Sequence, residues 1–337
     1  MIPHNRPTLG VEEEQAALRV IRSCWLAQGP EVESFEDEFC KFIGLPKGHA
    51  VAVSSGTAAL YLALWVLGAY QKKITFPGYA CSALRHAVAM AGGYEDLIDT
   101  TIDSPNIDIG HLKKESTDII IIPHMFGIPV DFEDHKFTKS IEDCAQALGA
   151  RVNGKSVGIH GTVGIFSFYA TKLITSGGQG GMFVSRDKNL VDTVRDYREF
   201  DMRQDNKKRF NFQMTDLQAA IGREQLRKLP SFISRRKEIF DQYKQSGLEL
   251  LDISAEKKNL MPVRYRAIIR TKNQKKIIDS LESIGVKAII PTEDWELLGD
   301  KGTLPNGWVL SKETVSLPIY PSLTNEDVRV ILSGIIR

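Results

Sequence analysis

Residues 140–181 read SIEDCAQALGARVNGKSVGIHGTVGIFSFYATKLITSGGQGG, and the fold turns on how they are read. The first four residues form a strand-like run that ends in Asp143. Residues 163–169 alternate β-branched and aromatic side chains with small ones and predict a second strand. Lys172 stands just past the end of that strand, and a glycine turn closes the stretch. In open α/β sheets, ligands collect beyond the carboxyl ends of the strands. An acid (Asp143), a hydroxyl (Ser167) and an amine (Lys172) are therefore expected at one sheet edge. Taken alone, the same residues also fit a solvated surface lysine and an aspartate that caps a helix.

Upstream, helices are expected over 10–25 and 31–42, the first with Glu12, Glu13 and Glu14 near its positive end. A short apolar strand over 50–54 runs into Ser55-Gly56-Thr57 and an apolar helix to Leu67. Strand, small-residue turn and helix together present free backbone N–H groups to an anion, and Gly56 lets the backbone approach closely. A plain helix cap reads the same way. Strands follow over 74–76, 94–99 and 118–123, with a helix over 80–91 and a helical turn over 109–114. The near-continuous isoleucine of 118–123 fits a strand buried on both faces of a mainly parallel sheet.

Downstream come a strand over 181–185, a helix over 189–198 and a long helix that starts at Thr215. Pro230 should kink that helix before it continues to about Tyr243. Beyond Gly247 the pattern changes to strand (264–270), helix (275–284), strand (286–290) and a last helix capped at Thr324. This predicts a large domain over 1–245 and a smaller α+β domain over 246–337.

Composition narrows the function. The chain has 337 residues, 42% hydrophobic and 25% charged, the profile of an ordinary soluble globular protein. A formal net charge of +1 gives no electrostatic case for nucleic acid or a membrane surface. The opening residues MIPHNRPTLG hold no apolar signal core, so a cytoplasmic setting is expected. The four cysteines (Cys24, Cys40, Cys81, Cys144) lack metal-ligand spacing, and no metal is expected.

The pieces SSGTAALYLALWVLG, IEDCAQALGA, FSFYATKLITSGGQGGMF and NFQMTDLQAAIGREQL occur in this order. In that order and spacing they closely resemble the DegT/DnrJ/EryC1/StrS family of pyridoxal-phosphate (PLP) aminotransferases. The resemblance runs from about Pro3 to Phe240, with SLPIYPSLT as a weaker echo near the C-terminus. It implies the fold-type I architecture: a mainly parallel central sheet flanked by helices, with a smaller C-terminal domain.

Carried over residue by residue, Lys172 matches the lysine that binds the cofactor covalently, and Asp143 the carboxylate paired with its ring nitrogen. Gln146 matches the residue beside the ring, and Gly56, Thr57 and Ser167 match the phosphate cup. Asn211 matches an asparagine that reaches the cofactor phosphate of the neighbouring subunit, which implies a homodimer with shared active sites. A buried carboxylate keeps a pyridinium protonated, and a lysine freed of its proton is both nucleophile and proton carrier.

The sequence also departs from the family. An aromatic residue often stacked on the ring falls at Cys81, with Tyr79 two residues earlier, and either one could stand beside the cofactor. Gln179 replaces a usual Glu, and Gln213 stands where Arg is common. The small domain's His-Tyr signature is absent, and Ile290-Pro291-Thr292-Glu293-Asp294-Trp295 occupies that region. The resemblance implies amino transfer from glutamate or glutamine to a keto group on a nucleotide-linked sugar or a related intermediate. Two alternatives remain: a PLP-dependent sugar dehydratase, against which Lys172 argues because those relatives carry His there, and a non-catalytic regulatory relative.

Overall fold

The computed structural model describes residues 1–112, 117–135, 137–253, 257 and 259–335. In chain order its first elements are α1 (Val11–Ser23), α2 (Pro30–Ile43), β1 (Ala50–Val53), α3 (Gly56–Val66), β2 (Lys73–Pro77), α4 (Ala83–Met90) and β3 (Tyr94–Ile98). Then come β4 (Ile119–Pro123), β5 (Ser140–Asp143), β6 (Arg151–Val152), β7 (Lys155–Ser156), β8 (Val163–Ser167), β9 (Gly181–Val184), α5 (Lys188–Arg198) and α6 (Asp216–Gln245). The last part holds β10 (Leu260–Met261), β11 (Ala267–Arg270), α7 (Gln274–Ser283), α8 (Pro305–Glu313), β12 (Thr314–Leu317) and α9 (Asn325–Ile335).

Seven strands form the central sheet in the order β1-β9-β8-β5-β4-β2-β3. Every neighbouring pair is parallel except the two made by β9, which runs against β1 and β8. Strand alternation sorts side chains to the two faces. Ala50 and Ala52 pack with Phe35 and Phe39 of α2 and Leu226 of α6, whereas Val51 and Val53 pack with Leu60 and Leu64 of α3. Helices therefore cover both faces, as a mainly parallel sheet requires. All four isoleucines of β4 are fully buried. Each contributes about 1.5–3 kcal/mol of apolar burial, before the entropy of ordering the strand is counted.

α6 is one helix of 30 residues that runs on through Pro230. Thr215 caps it, accepting the Gln218 N–H while the Gln218 side chain accepts the Thr215 N–H. Its second half enters another apolar cluster, where Ile239, Phe240 and Tyr243 meet Ala267, Leu281, Val315 and Ile331. Ile2, at the other end of the sequence, packs on this same cluster and bridges Val286. A further cluster joins Tyr79, Met125 and Phe126 of the sheet edge to Ile268, Leu304 and Leu310.

Three expectations change. The strand expected over 286–290 is reduced to two isolated bridges, Ile2 with Val286 and Ile289 with Ser316. β12 takes the full ladder beside β11 instead, and Val286 and Ala288 bury into the apolar cluster without one. Of the helical turn over 109–114, only Ile109–His111 forms a 3-10 turn, and Lys114 lies outside the described residues. The helix expected over 80–91 starts only at Ala83, which leaves Ala80 and Cys81 off the helix at the end of β2. α8 and β12 had no counterpart in the sequence reading.

Candidate active site

The ends of β1, β2, β4, β5 and β8 open onto one cavity of about 320 Å³. β9 runs the other way, so its beginning reaches the same edge and brings Gln179 there. The cavity wall carries Ser55, Gly56 and Thr57 after β1, Cys81 after β2, and His124 after β4. Asp143 and Gln146 come from β5, and Ser167, Tyr169 and Lys172 from β8. One sheet edge thus gathers side chains up to 124 positions apart in the chain, from Ser55 to Gln179.

The turn at Gly56 is set by a close approach. A Cβ on Gly56 would stand 2.6 Å from Ser167 Cβ and 2.9 Å from Ser167 Oγ. A Cβ on Gly181 would stand 2.2 Å from the Ser55 carbonyl oxygen. The strand–helix turn is therefore pinned between β8 and β9, with the start of α3 aimed into the cavity. Ser55 caps that helix by accepting the Ala58 N–H at 3.1 Å. First-turn N–H groups of a helix have no partner within it, so those of Gly56 and Thr57 suit an anion.

Asp143 lines the same cavity as that turn and is only 9% exposed. Among the described residues its carboxylate accepts one hydrogen bond, from the Ala145 N–H at 2.9 Å. Burial raises its pKa, and the Ala145 N–H, Lys172 and His124 offset this only in part. Such a carboxylate is suited to a cationic partner arriving in the cavity. Lys172 has no acid partner among the described residues, and its Nζ lies 5.6 Å from the centre of the buried Tyr265 ring. Gln146 accepts the Phe126 N–H at 2.8 Å, which commits its carbonyl and leaves its NH₂ as a donor.

Strand alternation puts Glu142 on the face opposite Asp143, where it organises the support. Its carboxylate is fully buried and accepts the N–H groups of Gly158, His160 and Gly161 at 2.7–2.8 Å. His124 Nδ1 accepts the Val130 N–H at 3.0 Å, so Nε2 donates to Glu142 at 3.1 Å. Burial pushes the Glu142 pKa up, but the hydrogen bond from His124 and these N–H groups outweigh it, and the net shift is downward. His124 is thus a hydrogen-bonded structural histidine that also lines the cavity. His124, Glu142 and Cys144 come close enough to hold a metal, but the Glu142 oxygens are already taken by N–H donors.

The structure brings Lys172, Asp143, Gly56, Thr57, Cys81, Gln146 and Ser167 to this one cavity. It does not bring Asn211 there. That side chain is exposed and accepts the Gln213 N–H at 3.0 Å, in a segment beside β1 where the Phe212 carbonyl accepts the Ser54 N–H. Of the two residues near the expected ring position, Cys81 lines the cavity. Tyr79 is fully buried outside it, edge-on to Phe126 at 6.2 Å.

Sequence reasoning missed Tyr169, Tyr265 and Arg266. These residues line a second cavity of about 550 Å³ that shares Ala80, Cys81, Met125, Gln146, Tyr169 and Lys172 with the first. Tyr265 and Arg266 lie nearly 100 positions after Lys172, and neither falls in a recognisable motif. Their only signal was the strand expected over 264–270, and the observed β11 begins at Ala267, which leaves both residues just before it.

The family model described as the DegT/DnrJ/EryC1/StrS aminotransferase family matches residues 7–335. It therefore extends well past Phe240, where the resemblance in the motifs had stopped. A GDP-perosamine synthase of Escherichia coli O157:H7 is 29% identical over 99% of this chain and 97% of its own. The crystal structure of the aminotransferase TlmJ from Streptoalloteichus hindustanus superposes with a TM-score of 0.91 at 26% identity, covering 99% of this chain and 98% of TlmJ. That of S. venezuelae DesV, solved in complex with a ketimine intermediate, superposes with a TM-score of 0.88 at 28% identity, covering 96% and 93%. No helix among the described residues is long and apolar enough to cross a membrane.

Proposed function

The chain belongs to the DegT/DnrJ/EryC1/StrS family of PLP-dependent aminotransferases, and we propose that it moves an amino group from glutamate or glutamine to a keto group on a nucleotide-linked sugar. The observation that carries this reading is the convergence of Asp143, Lys172 and the Gly56–Thr57 turn on one cavity that opens into a second. The residues present fit the cofactor. An N–H-rich helix start closed by Ser167 suits a phosphate, and a buried carboxylate without a cation suits a pyridinium. The likeness to a GDP-perosamine synthase along the whole chain supports a nucleotide-linked amino sugar as product.

In this reading the N–H groups of Gly56 and Thr57, with the Thr57 and Ser167 hydroxyls, hold the phosphate and fix the reacting carbon in place. Asp143 would keep the ring nitrogen protonated, and Gln146 and Cys81 would flank the ring from the same cavity wall. When bound, the cofactor supplies an electron sink next to the nitrogen-bearing carbon of the substrate. Lys172 holds the cofactor covalently between turnovers. Freed of that bond, its Nζ would take the proton from the substrate carbon and give it up at the cofactor carbon through which Lys172 had been attached. The second cavity receives the substrate from the face where Tyr265, Arg266 and Trp295 stand.

We further propose a homodimer in which Asn211 reaches the phosphate of the partner's cofactor, since the side chain is exposed and lines neither cavity of its own subunit. The domain division at 245/246 and a cytoplasmic setting complete the reading. The four unpaired cysteines support the latter. The test is a pair of half-reactions. Glutamate or glutamine should convert the bound cofactor to its aminated form, and a screen of nucleotide-linked keto sugars should restore the original absorbance. Conversion by neither amino acid refutes the aminotransferase reading. Restoration by simple 2-oxo acids but by no keto sugar refutes the acceptor class.

A further inference from the structure

The second cavity has an unbalanced wall. Its Lys and Arg residues are Arg85, Lys172 and Arg266, and of these Arg85 is paired with Glu95 at 2.9 Å. Arg266 has no carboxylate within ion-pair distance among the described residues. Its Nη1 reaches only neutral groups, His4 Nε2 at 3.3 Å and Ser316 Oγ at 3.4 Å, and its Nε is buried without a partner. The guanidinium carbon lies 5.5 Å from the centre of the Tyr265 ring, the same ring that Lys172 Nζ faces at 5.6 Å.

Arg236 adds to the imbalance from behind. It is 1% exposed and donates from Nη1 to the carbonyls of Tyr265 and Ile319, at 3.2 and 2.8 Å. It too lacks a carboxylate partner among the described residues, and burial pushes its pKa down to about 10. Burial, Arg266, Lys287 and Arg236 drive His4 down to about 3, so His4 adds no charge but can accept one of the Arg266 hydrogens. Burial would raise the Tyr265 hydroxyl pKa, yet Lys172, Arg266 and Arg236 bring it below its ordinary value. The one carboxylate on the cavity wall, Glu296, accepts the Glu293 N–H in its own turn. Uncompensated positive charge beside a cavity is costly unless a ligand supplies the counter-charge.

We infer that Arg266 is the anion-recognising residue of the substrate cavity, binding an acidic group that the substrate carries close to the carbon reacting at Lys172. The inference rests on the aminotransferase reading for the identity of that substrate. Two substrates carry such a group, the amino donor in its carboxylates and a nucleotide-linked acceptor in its diphosphate. Both offer the paired oxygens that a guanidinium fork grips in two parallel hydrogen bonds. Arg236 is a positioning residue: it anchors the Tyr265 carbonyl and, with it, the segment that presents Arg266.

Calorimetric titration of the holoenzyme with unreactive probes tests this without turnover. Glutarate stands for the donor, having both carboxylates and no amine, and GDP and UDP stand for the acceptor. Arg266→Gln should weaken at least one probe class by about tenfold or more, the loss of a charge-assisted bidentate contact. Loss of glutarate alone assigns the donor carboxylate. Loss of the nucleotides alone assigns the diphosphate, and loss of both assigns a shared anion seat. Unchanged binding of all three probes overturns the inference, and so does a parent that binds none of them at millimolar concentration. If Arg266→Gln does not fold, Arg266→Lys carries the test because it keeps the charge but not the fork. Weaker binding of one class then supports the inference, and unchanged binding of all refutes it. The glutamate half-reaction of the parent, measured separately, shows whether it is the aminotransferase reading that has failed.

Discussion

Replacing Gly56 by alanine perturbs a close approach in the wall of the candidate active site. The added Cβ would meet Ser167 Cβ at 2.6 Å, Ser167 Oγ at 2.9 Å and Ser167 Cα at 3.2 Å. Carbon atoms pack best at about 3.5–4.0 Å, so β8 and the start of α3 must part by about 1 Å. Overpacking of this kind costs roughly 1–3 kcal/mol of stability. Displacing the N–H groups of the proposed phosphate cup by a similar distance should weaken cofactor binding on the order of a hundredfold. Both effects are measurable on one preparation: urea unfolding of the cofactor-free protein for stability, and absorbance titration with PLP for affinity. The double variant Gly56→Ala, Ser167→Gly removes the Cβ–Cβ clash and leaves a tight 3.2 Å contact with the Cα of residue 167, which a shift of a few tenths of an ångström relieves. It should recover most of the stability but not the affinity, because the Ser167 hydroxyl is gone. If Gly56→Ala alone unfolds within about 0.5 kcal/mol of the parent, as an unconstrained surface site would, the packing argument for this turn is wrong.

Borohydride reduction should fix PLP on Lys172, and a peptide mass that places it on another lysine sinks that assignment; Lys172→Ala should bind cofactor but not turn over. Asp143→Asn should slow turnover by on the order of a hundredfold, roughly 3 kcal/mol of barrier, and a rate within a few-fold of the parent would make Asp143 a structural cap. In the cofactor-free protein the sign reverses. Because burial raises the folded-state pKa of Asp143, its stabilising effect is complete at low pH and lost as pH rises through that value, so the parent should lose stability relative to Asp143→Asn on going upward from acid pH. Glu142→Gln turns an oxygen that accepts N–H groups into a donor facing them, and unfolding should show a loss of about 3 kcal/mol or more at neutral pH. The folded-state pKa of Glu142 is depressed, so that loss should shrink as pH falls below about 4, the range of an unfolded glutamate. Mixed dimers of Lys172→Ala and Asn211→Asp subunits should regain up to about half of one dimer's activity, from one intact site in two; no recovery in dimers shown to have formed would place Asn211 in its own subunit's site.

The sequence by itself determined the sheet and most of its edge. The four buried isoleucines of β4, the alternation in β8 and the Ser55-Gly56-Thr57 turn are local signals, and local backbone preference and burial on both faces are enough to read them. Asp143, Ser167 and Lys172 were legible because strand ends are, and ligands collect at strand ends. Tertiary structure decided what depends on which segments meet. Cys81 lines the cavity because α4 starts three residues later than its periodicity suggests, whereas Tyr79 is drawn into the cluster with Phe126 and Leu304. Glu142 and Asp143 look alike in the sequence. The strand pleat sends one to a saturated network of N–H donors and leaves the other open to the cavity. The strand expected over 286–290 gave way because β12 won the ladder beside β11. Arg266 and Arg236 are ordinary basic residues in the sequence, and only the packing of α6 against the segment around Tyr265 sets Arg236 on the Tyr265 carbonyl and Arg266 on the cavity wall it shares with Lys172, neither with an acid partner among the described residues. Charge balance is a property of neighbours in space, and the sequence does not state which residues those are.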